Sequence, residues 1–415
     1  MKRKIRIKAI TSVVLFSFIF LFLAASCLRS KEPPPDIVLW TSFGDQELEI
    51  VKQIADKFGK KKNKKILVVK VPFNELDIKF QIASPAGQGP DLIIGPHDWV
   101  GAFVTAELLS PITESEVSQD QKSKFNQMGI ECMTYDSKLY GIPIFLETIA
   151  IIYNKKLVQK KPETMEELLE TATAFNDPGK DQYGFFYEIT NFYYSWPFFS
   201  AFGTKIFGET DGKIDVNKIL VNSPETIDAL NFISKLKNQD KLIPDGATTD
   251  MMQSKFFDQR LQFCLNGPWM LGDLKKRGID FEIIPIPPMK DGRIPKPFVG
   301  VQGMMLNAQS KNRGLAIEFM MYLNNPDNQR ELSLASGRIP SCKETLVLLK
   351  DQENIVKFAR AAEVGTPMPT HPAARQVWGP MSEALQLTII DGKNPEEVMK
   401  FQVQRIKKDI KFMME

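Results

Sequence analysis

Two repeating patterns of apolar and polar residues follow one another along the first third of the chain. Ile37 to Trp40 is a short apolar run that predicts a buried strand. Behind Asp45, apolar residues recur at helical spacing: Leu48, Val51, Ala55 and Phe58. A strand, a helix, a second strand and a further helix are then predicted: Ile66 to Val71, Glu75 to Ala83, Leu92 to Ile94 and Ala102 to Leu109. This order predicts a parallel sheet covered by helices, with ligands bound beyond the carboxyl ends of its strands.

The rest of the chain mixes helices with extended segments. Thr164 and Glu167 form a capping box that predicts the start of a helix, and Ser223-Pro224 predicts the start of another. The tail from Asp351 onward is mostly helical in pattern. Three segments are predicted to be extended: Leu261 to Leu265, Ile283 to Pro288 and Lys296 to Asn307.

The amino terminus has the pattern of a targeting segment. A basic stretch over residues 2–8 precedes an apolar core from Ala9 to Ala25, and small residues lead to Cys27. We predict a lipoprotein signal peptide over residues 1–26, lipidation of Cys27, and a stiff Pro-rich tether over residues 27–36. Ordinary secretion and a retained anchor helix are the alternatives. No second apolar stretch is long enough to span a membrane.

Length, charge and cysteines narrow the class of protein. A chain of 415 residues is natural for two domains. Its net charge of +3 falls to −2 without the five basic residues of the targeting segment, so a nucleic-acid partner is not expected. Without Cys27, three widely spaced cysteines remain beside only two histidines, which predicts buried thiols and at most one disulfide: Cys132, Cys264 and Cys342. We expect neither a metal site nor a cofactor.

Eight blocks of residues, in this order, resemble the extracytoplasmic solute-binding proteins of ABC importers, specifically the maltose/maltodextrin-binding family. They cover nearly the whole mature chain, and each is weak alone. The blocks are Gly89-Pro90-Asp91-Leu92-Ile93 through His97-Asp98, Tyr140-Gly141-Ile142-Pro143, Glu147, Ile152-Tyr153-Asn154-Lys155, Trp196-Pro197, Asn266-Gly267-Pro268-Trp269, Lys296-Pro297-Phe298-Val299-Gly300-Val301, and Met368-Pro369 with Trp378.

The resemblance implies an α/β fold of the two-lobed periplasmic-binding-protein type, with discontinuous lobes around a hinged ligand cleft. By analogy the N-terminal lobe is residues 37–146 and 304–345, and the C-terminal lobe is residues 147–303 and 346–415. The implied function is to capture a small oligosaccharide, of maltose/maltodextrin or trehalose type, and to deliver it to the transmembrane subunits of an ABC permease. The protein is then not an enzyme, and it is extracytoplasmic and anchored to the membrane by lipid.

The resemblance also implies the residues that bind the sugar. A sugar needs aromatic platforms for its apolar faces and carboxylates for its hydroxyl groups. Tyr193, Trp269 and Trp378 match stacking positions of the family. The acidic and polar matches are Asp98, Glu147, Asp77, Ser42 and Asp45.

Several positions depart from the family pattern. Gly95 replaces a tryptophan at the end of the third predicted strand, and Trp99 replaces an arginine, so Trp99 is expected to restore a platform from a shifted position. Ile78 fills the second place of an acidic pair of which Asp77 is the first. Three further polar contacts of the family are lost, at Gln46, Asn191 and Ser382. These changes put maltose itself in doubt, with trehalose the main rival.

Two other functions remain to be weighed against sugar binding. Asp98 and Glu147 are also the residue types of a glycoside hydrolase pair, although neither lies in a catalytic motif. Tyr193-Tyr194 is an adjacent tyrosine pair of the kind that binds ferric iron in some two-lobed proteins. His97 and His371 are expected to be polar cleft or surface residues and not metal ligands.

Overall fold

The computed structural model describes residues 33–210 and 213–414. The predicted signal peptide, Cys27 and the first part of the tether lie outside the described residues. The strands are β1 Ile37–Thr41, β2 Ile66–Lys70, β3 Leu92–Pro96, β4 Thr134–Tyr135, β5 Lys138–Leu139, β6 Gly141–Glu147, β7 Ala150–Asn154, β8 Tyr183–Phe186, β9 Phe207–Thr210, β10 Lys213–Ile219, β11 Leu261–Asn266, β12 Phe281–Ile284, β13 Phe298–Leu306, β14 Ile339–Pro340 and β15 Thr366–Pro367.

Helices connect and cover these strands, and four short 3₁₀ turns and one π-helical segment (Gln386–Ile390) accompany them. The α-helices are α1 Asp45–Lys62, α2 Phe73–Ala83, α3 Val100–Thr105, α4 Gln119–Ser123, α5 Gln127–Cys132, α6 Met165–Phe175, α7 Phe192–Phe202, α8 Pro224–Asn238, α9 Thr249–Phe257, α10 Leu271–Lys276, α11 Arg313–Leu323, α12 Pro326–Ser336, α13 Lys343–Leu348, α14 Glu353–Glu363, α15 Arg375–Leu385 and α16 Pro395–Met414.

The larger sheet has seven strands, in the order β14-β6-β13-β3-β1-β2, and β15 pairs with the start of β13. Strands β2, β1 and β3 run parallel, as their apolar runs predict. Strand β13 is antiparallel to both β3 and β6, so the sheet as a whole is mixed. The carboxyl ends of β1 and β3 lie at Thr41 and Pro96.

The second sheet has four strands in the order β12-β7-β11-β8. Strand β11 pairs in parallel with β8 and antiparallel with β7. Strand β7 begins three residues after β6 ends, so the chain passes from one sheet to the other through Thr148 and Ile149. The hydroxyl of buried Thr148 donates to the carbonyl of Phe298 at 3.0 Å, which ties this crossing to the start of β13.

Each sheet has its own apolar core. Residues such as Leu39, Phe103 and Met304 form the core on the seven-stranded sheet, which we call the first lobe. Residues such as Ile152, Phe263 and Leu385 form the core of the second lobe. The chain is therefore two-lobed and α/β. The exact lobe bounds expected from the sequence stay a prediction.

A few local expectations differ from the structure. The helix expected over Ala102 to Leu109 is α3, which ends at Thr105 because Glu107 adopts a left-handed backbone with φ of 57°. The extended segment expected up to Pro288 is a strand only as far as Ile284. The three cysteines other than Cys27 are buried and unpaired. Within the described ranges, no helix combines the length and apolar character that a membrane crossing requires.

A glycine in the second lobe tests the packing of α6 on β8. A Cβ added at Gly184 would lie 1.9 Å from the carbonyl oxygen of Ala172, so the helix and strand would have to separate. We predict that Gly184→Ala lowers the free energy of unfolding by about 3 kcal/mol or more, measured by denaturant unfolding. The matched control is Gly314→Ala at an exposed position in the first turn of α11, where nothing lies within 4 Å of the added Cβ and no loss is expected. Equal stability of the two variants would contradict this packing.

Candidate ligand-binding cleft

His97 joins the two lobes at the carboxyl end of β3. Its ring is fully buried. The backbone N–H of Val301 donates to Nδ1 at 3.0 Å, so the proton is on Nε2, which donates to the carbonyl of Met368 at 3.1 Å. Burial lowers the pKa of His97, in keeping with a neutral ring. His97, expected in the cleft or on the surface, is thus a buried, neutral residue whose ring hydrogen-bonds to both lobes.

Asp98 follows directly in the 3₁₀ turn His97–Trp99 and is 9% exposed. Its Oδ1 is buried and has no hydrogen-bond partner among the described residues. Burial raises the pKa of Asp98, and the neighbouring His97 and Arg375 oppose that rise. A buried carboxylate oxygen without a donor is costly, so this position suits a ligand that brings a hydroxyl group.

An aromatic wall on the second lobe brings together the three predicted platforms. Buried Phe298 is its centre, with ring centroids 6.4 Å from Tyr193 and 5.5 Å from Trp378. The Tyr193 ring lies 6.5 Å from the half-buried Trp269. Trp196 stacks on the other side of Phe298 at 4.4 Å. The Nε1 atom of Trp378 is buried and has no acceptor among the described residues.

Asp98 and the wall belong to the same site. Asp98 is close enough to Tyr193 for its charge to contribute to the raised pKa of that phenol, which burial mainly causes. Trp269 can fold back over its own turn because residue 267 is glycine, and a Cβ there would lie 2.2 Å from the indole. The structure therefore places Asp98 near Tyr193, with Trp269 and Trp378 in the same wall.

Glu147 lies in a buried ion network. Arg338 contacts both Glu147 and Glu47, and its Nε lies 2.6 Å from Glu47 Oε1. Gln302 donates to the second oxygen of Glu147 at 3.2 Å. The Arg338 guanidinium also lies 5.9 Å from the Trp269 ring centroid. Glu147 Oε1 thus meets the Arg338 guanidinium as an ion pair without a hydrogen bond, and Oε2 accepts from Gln302.

Trp99 occupies the space that the departure at position 95 leaves open. A Cβ at Gly95 would lie 2.5 Å from the Trp99 ring, so a larger side chain at 95 would displace that ring. The indole packs between Phe73, at 5.8 Å, and Phe103, at 5.7 Å. The glycine at position 95 therefore makes room for the tryptophan at position 99. A role for Trp99 in stacking on a ligand stays a prediction.

The remaining candidates are Asp77, Asp45 and Ser42, and Asp77 lies close enough to Asp98 for its charge to contribute to the raised pKa of Asp98. Asp77 pairs with Arg375 of the second lobe, Nη2 to Oδ2, at 2.6 Å. The side chain of Asp45 is 91% exposed and pairs with Lys70, which lowers the pKa of Asp45. Ser42 is half-buried after β1. Their roles in binding remain predictions.

The sequence analysis did not single out Arg338 or Arg375. Arg338 lies in a polar loop between α12 and β14, where the pattern gives no signal. The sequence does contain a signal for Arg375, because this residue lies three positions before Trp378 on the same helix and therefore on the same face. The lost family contacts have local roles: Asn191 caps α7, and Ser382 accepts from the N–H of Phe192 at 3.3 Å.

The tyrosine pair is arranged for packing. The Tyr193 and Tyr194 rings meet edge to face at 5.7 Å, and the Tyr194 hydroxyl donates to Asn266 at 3.3 Å. Burial raises the pKa of both phenols, which disfavours the tyrosinate that ferric iron requires. In the part of the chain that the structure describes, no three His, Cys, Asp or Glu side chains are grouped as metal ligands.

Comparison with known proteins identifies the class. Residues 53–354 match the family of bacterial extracellular solute-binding proteins. A maltotriose-binding protein of Pyrococcus abyssi is 33% identical over 87% of this chain and 79% of its own length. A galactooligosaccharide-binding protein of Bacillus subtilis is 28% identical over 93% of this chain and 92% of its own. The structure of the Thermus thermophilus maltotriose-binding protein bound with maltotriose has a TM-score of 0.86 and 37% identity, covering 90% of this chain and 100% of that one.

The family and its relatives make this chain a solute-binding protein and not an enzyme. The chain belongs to the bacterial extracellular solute-binding protein family. The expected resemblance to maltodextrin-binding proteins and the two-lobed fold are confirmed. Its family places it outside the cytoplasm. The glycoside hydrolase alternative for Asp98 and Glu147 falls with this assignment.

The neutral His97 predicts how stability depends on pH. Because burial lowers its pKa, only the unfolded chain takes up this proton below about pH 6.5, so stability is lost as pH falls. We predict that the free energy of unfolding drops by about 1 kcal/mol between pH 7 and 5.5. The raised pKa of Asp98 acts in the opposite direction, because the folded chain takes up this proton at a higher pH than the unfolded chain and so gains stability as pH falls.

The variant His97→Gln should be less stable at pH 7 but have a flatter profile, measured by chemical unfolding across that pH range. The control is the variant His371→Gln, since His371 is the only other histidine and is half-buried. This variant should keep more of the wild-type dependence of stability on pH than His97→Gln does. A wild-type slope in His97→Gln would show that His97 is not the titrating group.

Proposed function

We propose that this protein captures a short oligosaccharide of the maltodextrin type in the cleft between its lobes and delivers it to an ABC permease. One observation carries the proposal. An unpartnered buried acceptor, Asp98 Oδ1, lies near an aromatic wall that contains an unpartnered buried donor, Trp378 Nε1. A sugar hydroxyl both donates and accepts, and the apolar face of a sugar ring packs on aromatic side chains.

The relatives support this class of ligand. Two of the proteins described above are named for maltotriose and one for galactooligosaccharides. Both kinds of ligand are short chains of hexoses that offer ring faces and vicinal hydroxyls. Maltotriose is the first candidate because both the 33% and the 37% identical proteins carry its name. Trehalose and galactooligosaccharides are the competing sugars.

The division of the site between lobes suggests how delivery works. Asp98 belongs to the first lobe, and Tyr193, Trp269 and Trp378 pack on the second. A sugar that touches both sets favours the closed arrangement by its differential affinity for that form. A closed, loaded protein is then what the permease subunits would recognise.

The amino-terminal motif supports a membrane anchor. Cys27 directly follows Ala24-Ala25-Ser26 behind an apolar core, as in a lipoprotein signal. We propose that Cys27 carries lipid and tethers the binding lobes to the outer face of a membrane, where the permease is located.

The ligand class is tested on purified protein by thermal shift and calorimetry. The panel contains maltose, maltotriose, trehalose, β-1,4-galactobiose and ferric citrate. We expect maltotriose to stabilise the fold by about 2.7 kcal/mol at a hundredfold excess over its Kd. Stabilisation by ferric citrate alone would overturn the proposal in favour of iron binding.

Variants of the site refine that test. Trp378→Ala should weaken maltotriose binding on the order of 30- to 150-fold, because about 2–3 kcal/mol of apolar contact is lost. Trp378→Phe keeps one six-membered aromatic ring but loses the pyrrole ring with its Nε1 donor, so it should weaken binding by about tenfold. Asp98→Ala should weaken binding, with the circular dichroism of the apo protein unchanged. Wild-type affinity in all three variants would remove the sugar from this site.

The anchor is tested by Cys27→Ala. We predict that the variant leaves the membrane fraction and takes up no label from a clickable fatty acid, because the thioether-forming sulfur is gone. Cys342→Ala, which removes a buried thiol, is the matched control and should label like the wild type. Equal labelling of wild type and Cys27→Ala would exclude lipidation at Cys27.

A further inference from the structure

An ion pair crosses between the lobes beside the proposed site. Arg375, at the start of α15 in the second lobe, contacts Asp77 of α2 in the first lobe at 2.6 Å. Both side chains are about four-fifths buried, with exposures of 21% and 18%. The guanidinium also lies 6.0 Å from the ring centroid of Phe103. The pair is therefore shielded from water more than an ordinary surface ion pair.

Both carboxylate oxygens of Asp77 are engaged by the protein itself. Oδ2 accepts from Arg375, and Oδ1 accepts from the backbone N–H of Ile78 at 2.7 Å. Asp98, by contrast, has one oxygen without a partner. A neutral sugar hydroxyl binds a carboxylate less strongly than a guanidinium does, so it does not displace Arg375 from Asp77. Of these two acids, Asp98 is the one left for the ligand.

We propose that Asp77 and Arg375 form a clamp that holds the lobes together, so that Asp77 acts on the sugar through closure and not by contact. This inference rests on the proposed function for its effect on sugar affinity, but the clamp itself can be tested without a ligand. The same two lobes also meet at the His97–Met368 bond and at Gln46, whose amide donates to the carbonyl of Gly272 at 3.4 Å. The two other contacts are hydrogen bonds to backbone carbonyls, whereas the Asp77–Arg375 contact is an ion pair.

The clamp changes affinity through the population of the closed form. When only a fraction of the protein is closed, the apparent Kd rises in inverse proportion to that fraction. Asp77→Arg alone, or Arg375→Asp alone, places like charges against each other and disfavours closure. Exchanging both residues restores an ion pair of opposite polarity, although position 77 then carries no carboxylate.

The first measurement is made without ligand on the full chain. Azidophenylalanine is introduced at the exposed positions of Asp56 on α1 and Asn231 on α8, one on each lobe, and labelled for energy transfer. We expect each single reversal to lower the transfer efficiency and the double exchange to restore it. The control is Arg313→Ala, which breaks a partly buried pair with Glu116 within the first lobe and should leave the efficiency unchanged. A double exchange that stays open would overturn the clamp.

The second measurement is the Kd for maltotriose of the same variants. Each single reversal should raise the Kd about tenfold, and the double exchange should return it to within about threefold of the wild type. If the exchange restores energy transfer but not affinity, Asp77 contacts the sugar and that part of the inference is wrong. If the wild type does not bind maltotriose or any sugar of the panel, the proposed function fails, and the ligand-free energy transfer still decides the clamp.

Discussion

The arrangement of the cleft depends on one positive charge buried where the lobes meet. Arg338 is 6% exposed and lies between Glu47, at the start of α1, and Glu147, at the end of β6. A buried charge is tolerated only when it is paired, and loss of one partner typically costs about 3–5 kcal/mol. The network therefore fixes the beginning of a helix and the end of a crossing strand relative to each other. The guanidinium of Arg338 also lies 5.9 Å from the ring centroid of Trp269.

Around that charge, the two lobes contribute different chemistry. The first lobe presents carboxylates, and the second presents rings gathered around Phe298. The carboxylates are not equivalent, because Glu147 and Asp77 each form an ion pair with an arginine. Glu147 Oε1 and Asp98 Oδ1 are both buried without a hydrogen-bond partner among the described residues, but Glu147 Oε1 faces a guanidinium. We therefore expect selectivity to depend on which acid lacks an arginine as ion-pair partner, and not on the number of acids near the cleft.

Local patterns in the sequence predicted the elements better than the contacts between them. The apolar runs of β1, β2 and β3 and the helical spacing in α1 each lie within a short window, so periodicity is enough. The family resemblance pointed to the aromatic wall. The ion pairs of Arg338 and Arg375 join residues almost 300 positions apart, and such contacts leave no periodic trace. Likewise, the fit of Trp99 over Gly95 follows from the fold and not from spacing.

The strand order has a consequence for how the chain is made. Strand β6 ends at Glu147, but its edge partner β14 comes about 200 residues later, where Ile339 pairs with Leu146. Strand β13, which lies between β3 and β6 in the sheet, also follows late, about 150 residues after the end of β6. Until β13 and β14 are in place, the edges of β3 and β6 are open to pairing with other chains. The first lobe therefore cannot complete its sheet until most of the chain is available to fold.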